Sequence, residues 1–339
     1  MEHVDLNRYE VTGILGAGAD YEVRAAVDRE TGQQVVLKRP EPQMIRRQLH
    51  SEIEVRTERT LSAYEAVGHS VPGIVAILGY TDRVNHDAYF GETLGQAYRV
   101  VVAARAQGIP LVGDIKARFT GVPIGVGQNL FALYPIVWPE HLSPFPIQQQ
   151  LMAVERAFFQ AGYVLLDVQP QNVFYQPASG RITVIDCGAL VDASGAVDRR
   201  GQPQDIHNFY LEMLKFYTTP QLPPSQVRGY REPYGLRPVV HFERELEQMR
   251  QQFKDTADTG VQAAALTMLD RVRQRTYADF DDFRRDLMAY LEAVAHAHRA
   301  LTHLDERRQI WLEALAWLRA DYWQRYLFYP EAELAEFVL

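Results

Sequence analysis

Hydrophobic and polar residues alternate along the first forty positions in three short runs separated by turn-forming residues. The runs at residues 9–15, 21–27 and 34–38 are rich in Val, Ile, Leu and Tyr, which favours β-strands. Residues 28–32, Asp-Arg-Glu-Thr-Gly, predict a tight turn between the second and third runs. The chain is therefore predicted to begin with three antiparallel strands.

The next hundred residues predict one helix followed by two further strands. Residues 44–67 contain no Gly or Pro and are rich in Glu, Arg, Leu and Ala, which predicts a single long helix. Residues 71–80 lead into a fourth strand, and residues 98–104 predict a fifth. Residues 108–146 hold many Gly and Pro residues, which disfavour long helices, and we expect an inserted loop or small hairpin there.

The remaining chain is predicted to be mainly helical. Residues 147–161 have apolar residues at helical spacing. Residues 173–175 and 182–185 predict a β-hairpin. Residues 292–329 predict a C-terminal helix with one apolar face, which we expect to pack on the preceding helices. Docking of a partner protein on that face is the alternative.

Composition narrows the possible partners and location. The 339 residues are 47% hydrophobic, enough for a sizeable core, and the formal charge of −8 makes nucleic acid and anionic membranes poor partners. No window approaches the ~18 apolar residues that a membrane-spanning helix needs. The single cysteine, Cys187, excludes an internal disulfide. Together with the lack of a signal-peptide pattern, it predicts a cytoplasmic protein.

Candidate chemistry lies after β-forming runs in both halves of the chain. Asp167 and Asn172 form an Asp-x-x-x-x-Asn motif, and Asp186 begins Asp-Cys-Gly. Carboxylate and amide oxygens can orient an attacking hydroxyl and bind a metal ion on phosphates. Near the N-terminus, Gly16 and Gly18 would let the backbone approach phosphate oxygens, because neither residue has a Cβ.

These motifs, together with Lys38 at the end of the third strand, resemble those of the eukaryotic-type (Hanks-type) protein kinase-like superfamily over about residues 7–290. The resemblance implies an α+β, bilobal fold with a small antiparallel β-sheet N-lobe and a mainly helical C-lobe, in which residues 204–214 form a buried helix. The implied domains are an N-lobe at 1–105, a C-lobe at 106–290 with an insertion near 108–146, and a C-terminal helical extension at 291–339.

The resemblance also implies a role for each site residue. Asp167 would be the catalytic residue that orients the acceptor hydroxyl, and Lys38, steadied by Glu52, would bind the α- and β-phosphates of ATP. Glu58 is the alternative partner of Lys38, because Glu52 follows Lys38 closely in the sequence. The implied ATP-binding residues are Leu15, Gly16, Gly18, Val23, Lys38 and Ala104, and the implied Mg²⁺ ligands are Asn172 and Asp186.

Several positions depart from the family pattern. Leu165 and Leu166 replace the His-Arg pair before the catalytic Asp, and Gln169 replaces the catalytic-loop Lys. Tyr21 replaces the third glycine of the loop, and Asp20 adds a negative charge near the expected phosphates. The Ala-Pro-Glu triplet that ends the activation segment is also missing. These changes weaken catalysis without removing Lys38 or the metal ligands.

The sequence therefore favours an ATP- and Mg²⁺-dependent phosphotransferase, a serine/threonine-type protein kinase with a short activation segment. Its acceptor is expected to be a protein or a small molecule. The alternatives are a small-molecule kinase and a weak or inactive pseudokinase that acts as a nucleotide-binding scaffold. Adenylyl transfer is a more distant possibility.

Overall fold

The computed structural model describes residues 1–18, 20–68, 71–110, 146–165, 172–176, 181–193, 206–217, 242–254 and 258–299. The chain forms two compact units. The first comprises Met1–Ala106 with Gly188–Leu190, and the second comprises Gln107–Cys187 with Val191–Leu339. The described part of the first unit is built around a β-sheet, and that of the second is mainly helical, so the predicted α+β class is confirmed.

A six-stranded sheet organises the first unit. Its strands are β1 (Glu2–His3), β2 (Tyr9–Ala17), β3 (Tyr21–Asp28), β4 (Gln34–Pro40), β5 (Ile77–Tyr80) and β6 (Val101–Ala104), arranged in the order β1-β5-β6-β4-β3-β2. Neighbouring strands are antiparallel except for β1 and β5, which are parallel. The predicted three-stranded start of the sheet is confirmed, and β1 is an edge strand that the hydrophobic pattern did not predict.

The single helix predicted for residues 44–67 is wrong, because two helices occupy this region. Helix α1 spans Pro42–Arg46 and helix α2 spans Ser51–Val67. Gln48 adopts a left-handed conformation with φ 57°. Its N–H and that of Leu49 bond back to carbonyls in the last turn of α1, at 2.9 Å each. This is a Schellman-type helix end, which usually contains Gly, so the composition did not indicate it.

The connection between β5 and β6, which contains the short helix α3 (Asp87–Phe90), contributes to a core on one face of the sheet. That core consists of Leu6, Tyr9, Ala26, Val35, Leu37, Ile45, Leu94, Tyr98, Val100 and Val102. Side chains alternate between the two faces along a strand. Because Leu37 belongs to the covered face, its neighbour Lys38 lies on the opposite face.

Charged side chains form a buried group beside this core, which we call the Arg39 cluster: Arg39, Arg24, Glu22, Glu92 and Tyr98. Arg39 is 1% exposed and donates to Glu22 at 2.9 Å and to Glu92 at 2.7 Å. It also donates to the Tyr98 hydroxyl at 3.0 Å. Arg24 donates to the same two carboxylates, at 2.6 and 2.7 Å. Burial raises the pKa of Glu92, but the hydrogen bonds and charges of Arg39 and Arg24 together outweigh this effect, and the net pKa is below the ordinary value.

The second unit combines helices with short strands. The helices are α4 (Pro146–Gln160), α5 (Ile206–Tyr217), α6 (Phe242–Lys254), α7 (Thr259–Gln274) and α8 (Phe280–Arg299). The strands are β7 (Ile109–Pro110), β8 (Tyr163–Leu165), β9 (Val173–Gln176), β10 (Arg181–Val184) and β11 (Leu190–Asp192), whose first residue belongs to the first unit. They form a three-stranded sheet of order β10-β9-β7 and a two-stranded sheet of β11 and β8.

The helix predicted for residues 147–161 is confirmed as α4, which buries Leu151, Val154 and Phe158 almost completely. Helix α5 confirms most of the helix predicted for residues 204–214. Helix α8 runs without interruption across residue 290, where the C-terminal extension was predicted to begin. Residues 300–339 lie outside the described residues. Among the described helices, none is long and apolar enough to span a membrane.

Candidate active site

The strand register places three of the expected ATP-binding residues side by side. Gly16 on β2 is the direct partner of Val23 on β3, and Val23 is the direct partner of Lys38 on β4. Direct cross-strand partners lie about 4.5–5.5 Å apart and share a face of the sheet. We call these residues the Gly16–Val23–Lys38 row. The row presents a glycine, an aliphatic side chain and an ammonium on the face opposite the covered core.

Packing against the described residues does not require glycine at position 16 or 18. Among these residues, a Cβ built on Gly16 meets no atom within 4 Å, and one built on Gly18 meets only the Tyr21 carbonyl oxygen, at 3.9 Å. Neither glycine has a positive φ. The missing side chains therefore leave open space beside the backbone, where a ligand could approach closely.

Gly16→Ala and Gly18→Ala are expected to weaken ATP binding by about three- to tenfold, equivalent to roughly 1 kcal/mol, because each added methyl group occupies space that a phosphate would use. Thermal unfolding of both variants should match the wild type. Titration with a fluorescent ATP analogue and circular dichroism measure the two effects. Unchanged ATP affinity in both variants would contradict this assignment.

Gly79→Ala serves as the matched control for these glycine substitutions. A Cβ at Gly79 would overlap Val4 Cγ1 and would lie 2.7 Å from the Glu2 carbonyl oxygen, where β1 approaches β5. This variant is therefore expected to lose thermal stability. It separates the cost of a steric clash inside the sheet from the loss of a ligand contact.

Leu15 and Ala104 are the two remaining residues expected to contact ATP. Leu15 is the extra residue of a β-bulge between Ile14 and Gly16, and its side chain is 46% exposed. Ala104 ends β6, and its N–H donates to the Ala76 carbonyl at 2.8 Å. An adenine contact at Ala104 would therefore use the carbonyl oxygen instead of the amide.

Helix α2 carries the acids considered as partners of Lys38. Glu52 is exposed in the first turn of the helix, and its pairing with Lys38 stays a prediction. Glu54 is 3% exposed and accepts a hydrogen bond from the Arg99 backbone N–H at 2.8 Å. Glu58, the alternative partner, forms an ion pair with the Arg99 side chain at 3.2 Å. Arg99 thus anchors α2 to the chain just before β6.

Tyr21 has contacts that the sequence analysis missed. In the family pattern, Tyr21 stands in the place of a glycine. In the structure, the Lys38 Nζ lies 4.2 Å from the centroid of the Tyr21 ring. The Tyr21 hydroxyl lies 3.0 Å from Thr57 Oγ1 on α2. The only indication in the sequence was an aromatic residue two positions before Val23, on the same face of β3.

Two arginines of α2 also make contacts that the sequence did not predict. Arg56 forms an ion pair with Asp20 at 2.8 Å. The negative charge of Asp20, expected to lie near the phosphates, is therefore balanced by a cation. Arg59 donates to the Leu190 carbonyl at 3.2 Å, and both residues belong to the first unit. Helix α2 is thus bonded to the chain just after the Asp-Cys-Gly motif.

The second unit brings the two expected Mg²⁺ ligands to the same end of a hairpin. Strands β9 and β10 pair from Val173 opposite Val184, which confirms the predicted hairpin. The ladder continues with the Ile185 N–H, which donates to the Asn172 carbonyl at 2.9 Å. Asp186 is the next residue, so Asn172 and Asp186 flank the open end. Both are partly buried, and their side-chain oxygens are the ligand type that Mg²⁺ prefers.

Other expected residues of the catalytic loop lie outside the described residues. These are Asp167 and Gln169, and most of the insertion near 108–146 lies outside as well. Leu165, in the position of the family's His, is fully buried in β8. Cys187, in the position of the Phe that follows the metal-binding Asp, is 2% exposed. Both replacements therefore occupy packed positions.

The sequence matches no protein-family model and no curated protein. Among solved structures, the chain is similar to the kinase PK-1 of the Cydia pomonella granulovirus, with a TM-score of 0.49 and 10% sequence identity. The alignment covers 83% of this chain and 94% of that chain. The described elements run from three antiparallel strands through α2, β5 and β6 to a mainly helical second unit, which is the order that the resemblance to the protein kinase-like superfamily implied.

Proposed function

We propose that this chain transfers the γ-phosphoryl group of ATP, in the presence of Mg²⁺, to an alcohol group. A serine or threonine of a protein is the preferred acceptor, and a small molecule is the alternative. The Gly16–Val23–Lys38 row is the observation that supports the proposal best. An open backbone, an aliphatic surface and a cation in one row suit a phosphate chain and a flat base.

The first unit would bind the nucleotide. Lys38 would neutralise the α- and β-phosphates, and the backbone at Gly16 and Gly18 would lie over them. Leu15 and Val23 would provide apolar contacts for the adenine. The backbone at and after Ala104 would offer polar groups to the edge of the adenine ring. Because the Ala104 N–H already donates to the Ala76 carbonyl, Ala104 itself would contact the adenine through its carbonyl oxygen.

The second unit would supply the metal ligands and the catalytic carboxylate. Asn172 and Asp186 would hold Mg²⁺, which neutralises charge on the transferring phosphoryl group. Asp167 would orient the acceptor hydroxyl and accept its proton. The acceptor oxygen forms a bond to the γ-phosphorus as the bond to the β-γ bridging oxygen breaks, and ADP leaves. Catalysis of this reaction depends mainly on positioning and electrostatic stabilisation.

A pseudokinase is the second candidate, supported by the missing catalytic-loop cation at Gln169. Loss of one such cation would slow transfer by about two to three decades, since it removes a few kcal/mol of electrostatic stabilisation. The buried Leu165 also replaces a polar family residue. In contrast, the ion pair between Asp20 and Arg56 weakens the argument that Asp20 repels phosphates.

Labelled ATP separates these candidates. The full-length chain is incubated with Mg²⁺, casein as acceptor, and ATP labelled at either the γ- or the α-phosphate. We expect label from the γ-position on casein or on the chain itself, and none from the α-position. Incorporation from the α-position would indicate adenylyl transfer. ATP binding with no transfer from either position, to protein or to water, would favour the pseudokinase.

A further inference from the structure

Tyr21 links Lys38 to helix α2. The Lys38 Nζ lies 4.2 Å from the ring centroid, well within the range of a cation–π interaction. At the other end of the ring, the hydroxyl lies 3.0 Å from Thr57 Oγ1 and 3.4 Å from the Ile53 carbonyl oxygen. One side chain therefore contacts both the strand that carries the ammonium and the helix beside it.

The hydrogen bonds at the Tyr21 hydroxyl restrict the orientation of the ring. The Thr57 hydroxyl also lies 2.9 Å from the Ile53 carbonyl oxygen. Either hydroxyl can donate in the bond between Tyr21 and Thr57, and the other hydroxyl can then donate to the Ile53 carbonyl. Thr57 is 5% exposed, so water has little access to this bond. The ring is thus held at its hydroxyl end while its face contacts Lys38.

Neighbouring residues strengthen this link between the glycine turn and α2. The Gly18 N–H donates to the Tyr21 carbonyl at 2.8 Å, which closes the turn. Asp20, immediately before Tyr21, forms its ion pair with Arg56 at 2.8 Å. Two successive residues after the glycine turn are therefore bonded to α2. The turn, Lys38 and the helix are connected through Tyr21.

We propose that Tyr21 is a positioning residue for ATP binding, which orients the Lys38 ammonium toward the phosphates and couples that orientation to helix α2. This inference rests on the proposed function, because it assumes that Lys38 binds phosphates. An aromatic face attracts an ammonium without cancelling its charge. Tyr21 would therefore hold Lys38 in place without itself neutralising the positive charge of the ammonium.

The test compares dissociation constants for Mg·ATP and for adenosine, measured by isothermal titration calorimetry on the full-length chain. Tyr21→Leu is expected to weaken Mg·ATP binding by about five- to tenfold, because the ring no longer orients Lys38. Adenosine binding should not change, since adenosine has no phosphates. Tyr21→Phe, which keeps the ring and loses the hydroxyl, should weaken Mg·ATP binding only about twofold.

Variants of Lys38 and Tyr80 make the test specific. In a Lys38→Met background, Tyr21→Leu should have no further effect, because Tyr21 acts through Lys38. Tyr80→Leu removes another ring that faces a cation, the Arg99 guanidinium at 5.7 Å, and should change neither dissociation constant. Thermal unfolding of Tyr21→Phe and of Tyr21→Leu establishes that both variants fold.

Different outcomes separate the role of Tyr21 from the proposed function. If Tyr21→Leu weakens the binding of Mg·ATP and of adenosine equally, the positioning role is overturned while phosphate binding by Lys38 stands. The same holds if Tyr21→Leu weakens Mg·ATP binding further in the Lys38→Met background. An ATP affinity unchanged by Tyr21→Leu has the same consequence. If Lys38→Met binds Mg·ATP as tightly as the wild type, both the positioning role and the proposed ATP site are wrong.

Discussion

Asp186→Ala is expected to lower the rate of γ-phosphoryl transfer from Mg·ATP by about 10²–10³-fold, because it removes a carboxylate ligand of the metal ion that neutralises the transferring group. Asp186 follows Ile185, whose N–H bonds to the Asn172 carbonyl at 2.9 Å, so the variant leaves the hairpin backbone unchanged. Initial rates with γ-labelled ATP at saturating Mg²⁺ measure the effect. Raising the Mg²⁺ concentration above the level that saturates the wild type should restore only part of the variant's rate.

Asp192→Ala is the matched control for this prediction. Asp192 lies on β11 six positions after Asp186 in the sequence, and its side chain is exposed. Its replacement removes the same charge from the same segment and should leave the transfer rate within about twofold of wild type. Equal rates for Asp186→Ala and Asp192→Ala would show that Asp186 holds no catalytic metal ion.

The largest effect on stability is expected for Arg39→Ala, which should destabilise the first unit by about 3–5 kcal/mol, since it removes one of two cations from a buried charge cluster. Glu22 and Glu92 would then share Arg24 alone. Arg24→Ala should cost less, because its side chain is 13% exposed, compared with 1% for Arg39. Tyr98→Phe, which removes one hydrogen bond, should cost about 1 kcal/mol.

Hydrogen exchange is the suitable measurement for the Arg39 cluster. All four tryptophans of the chain follow position 106, so their fluorescence reports on residues other than Met1–Ala106. Amide exchange across Gln34–Pro40, followed through a urea series, reports directly on β4. Protection in Arg39→Ala that matches the wild type, or a larger loss in Arg24→Ala, would contradict the assigned energetics.

The elements that the sequence predicted correctly are those set by local patterns. The strands of the Gly16–Val23–Lys38 row follow from alternating residues and a Gly-containing turn, and the hairpin before Asp186 follows from two short β-forming runs. In each of these patterns, a strand and the turn next to it are formed by residues that are close together in the sequence. The order of these local motifs also suggested the nucleotide-binding and metal-binding residues, although it did not give the register of the strands.

The features that the sequence missed depend on contacts between distant residues or on unusual backbone conformations. Gln48 ends α1 in a left-handed conformation, and the residue at such a helix end is usually Gly. Arg39 reaches Glu22 and Glu92, which lie 17 and 53 positions away in the sequence. Tyr21 reaches Thr57 across 36 positions. No periodicity within one element indicates such pairs, since they exist only after the strands and helices pack.

A crystal structure of the full-length chain with Mg²⁺ and the non-hydrolysable analogue β,γ-imido-ATP would test the central claim most directly. We predict that Lys38 Nζ lies within about 3 Å of an α- or β-phosphate oxygen and that Asn172 and Asp186 coordinate the metal ion at about 2.1 Å. The backbone of Gly16 and Gly18 should contact the phosphates. A nucleotide bound away from Lys38, or a metal ion held without Asp186, would contradict the account.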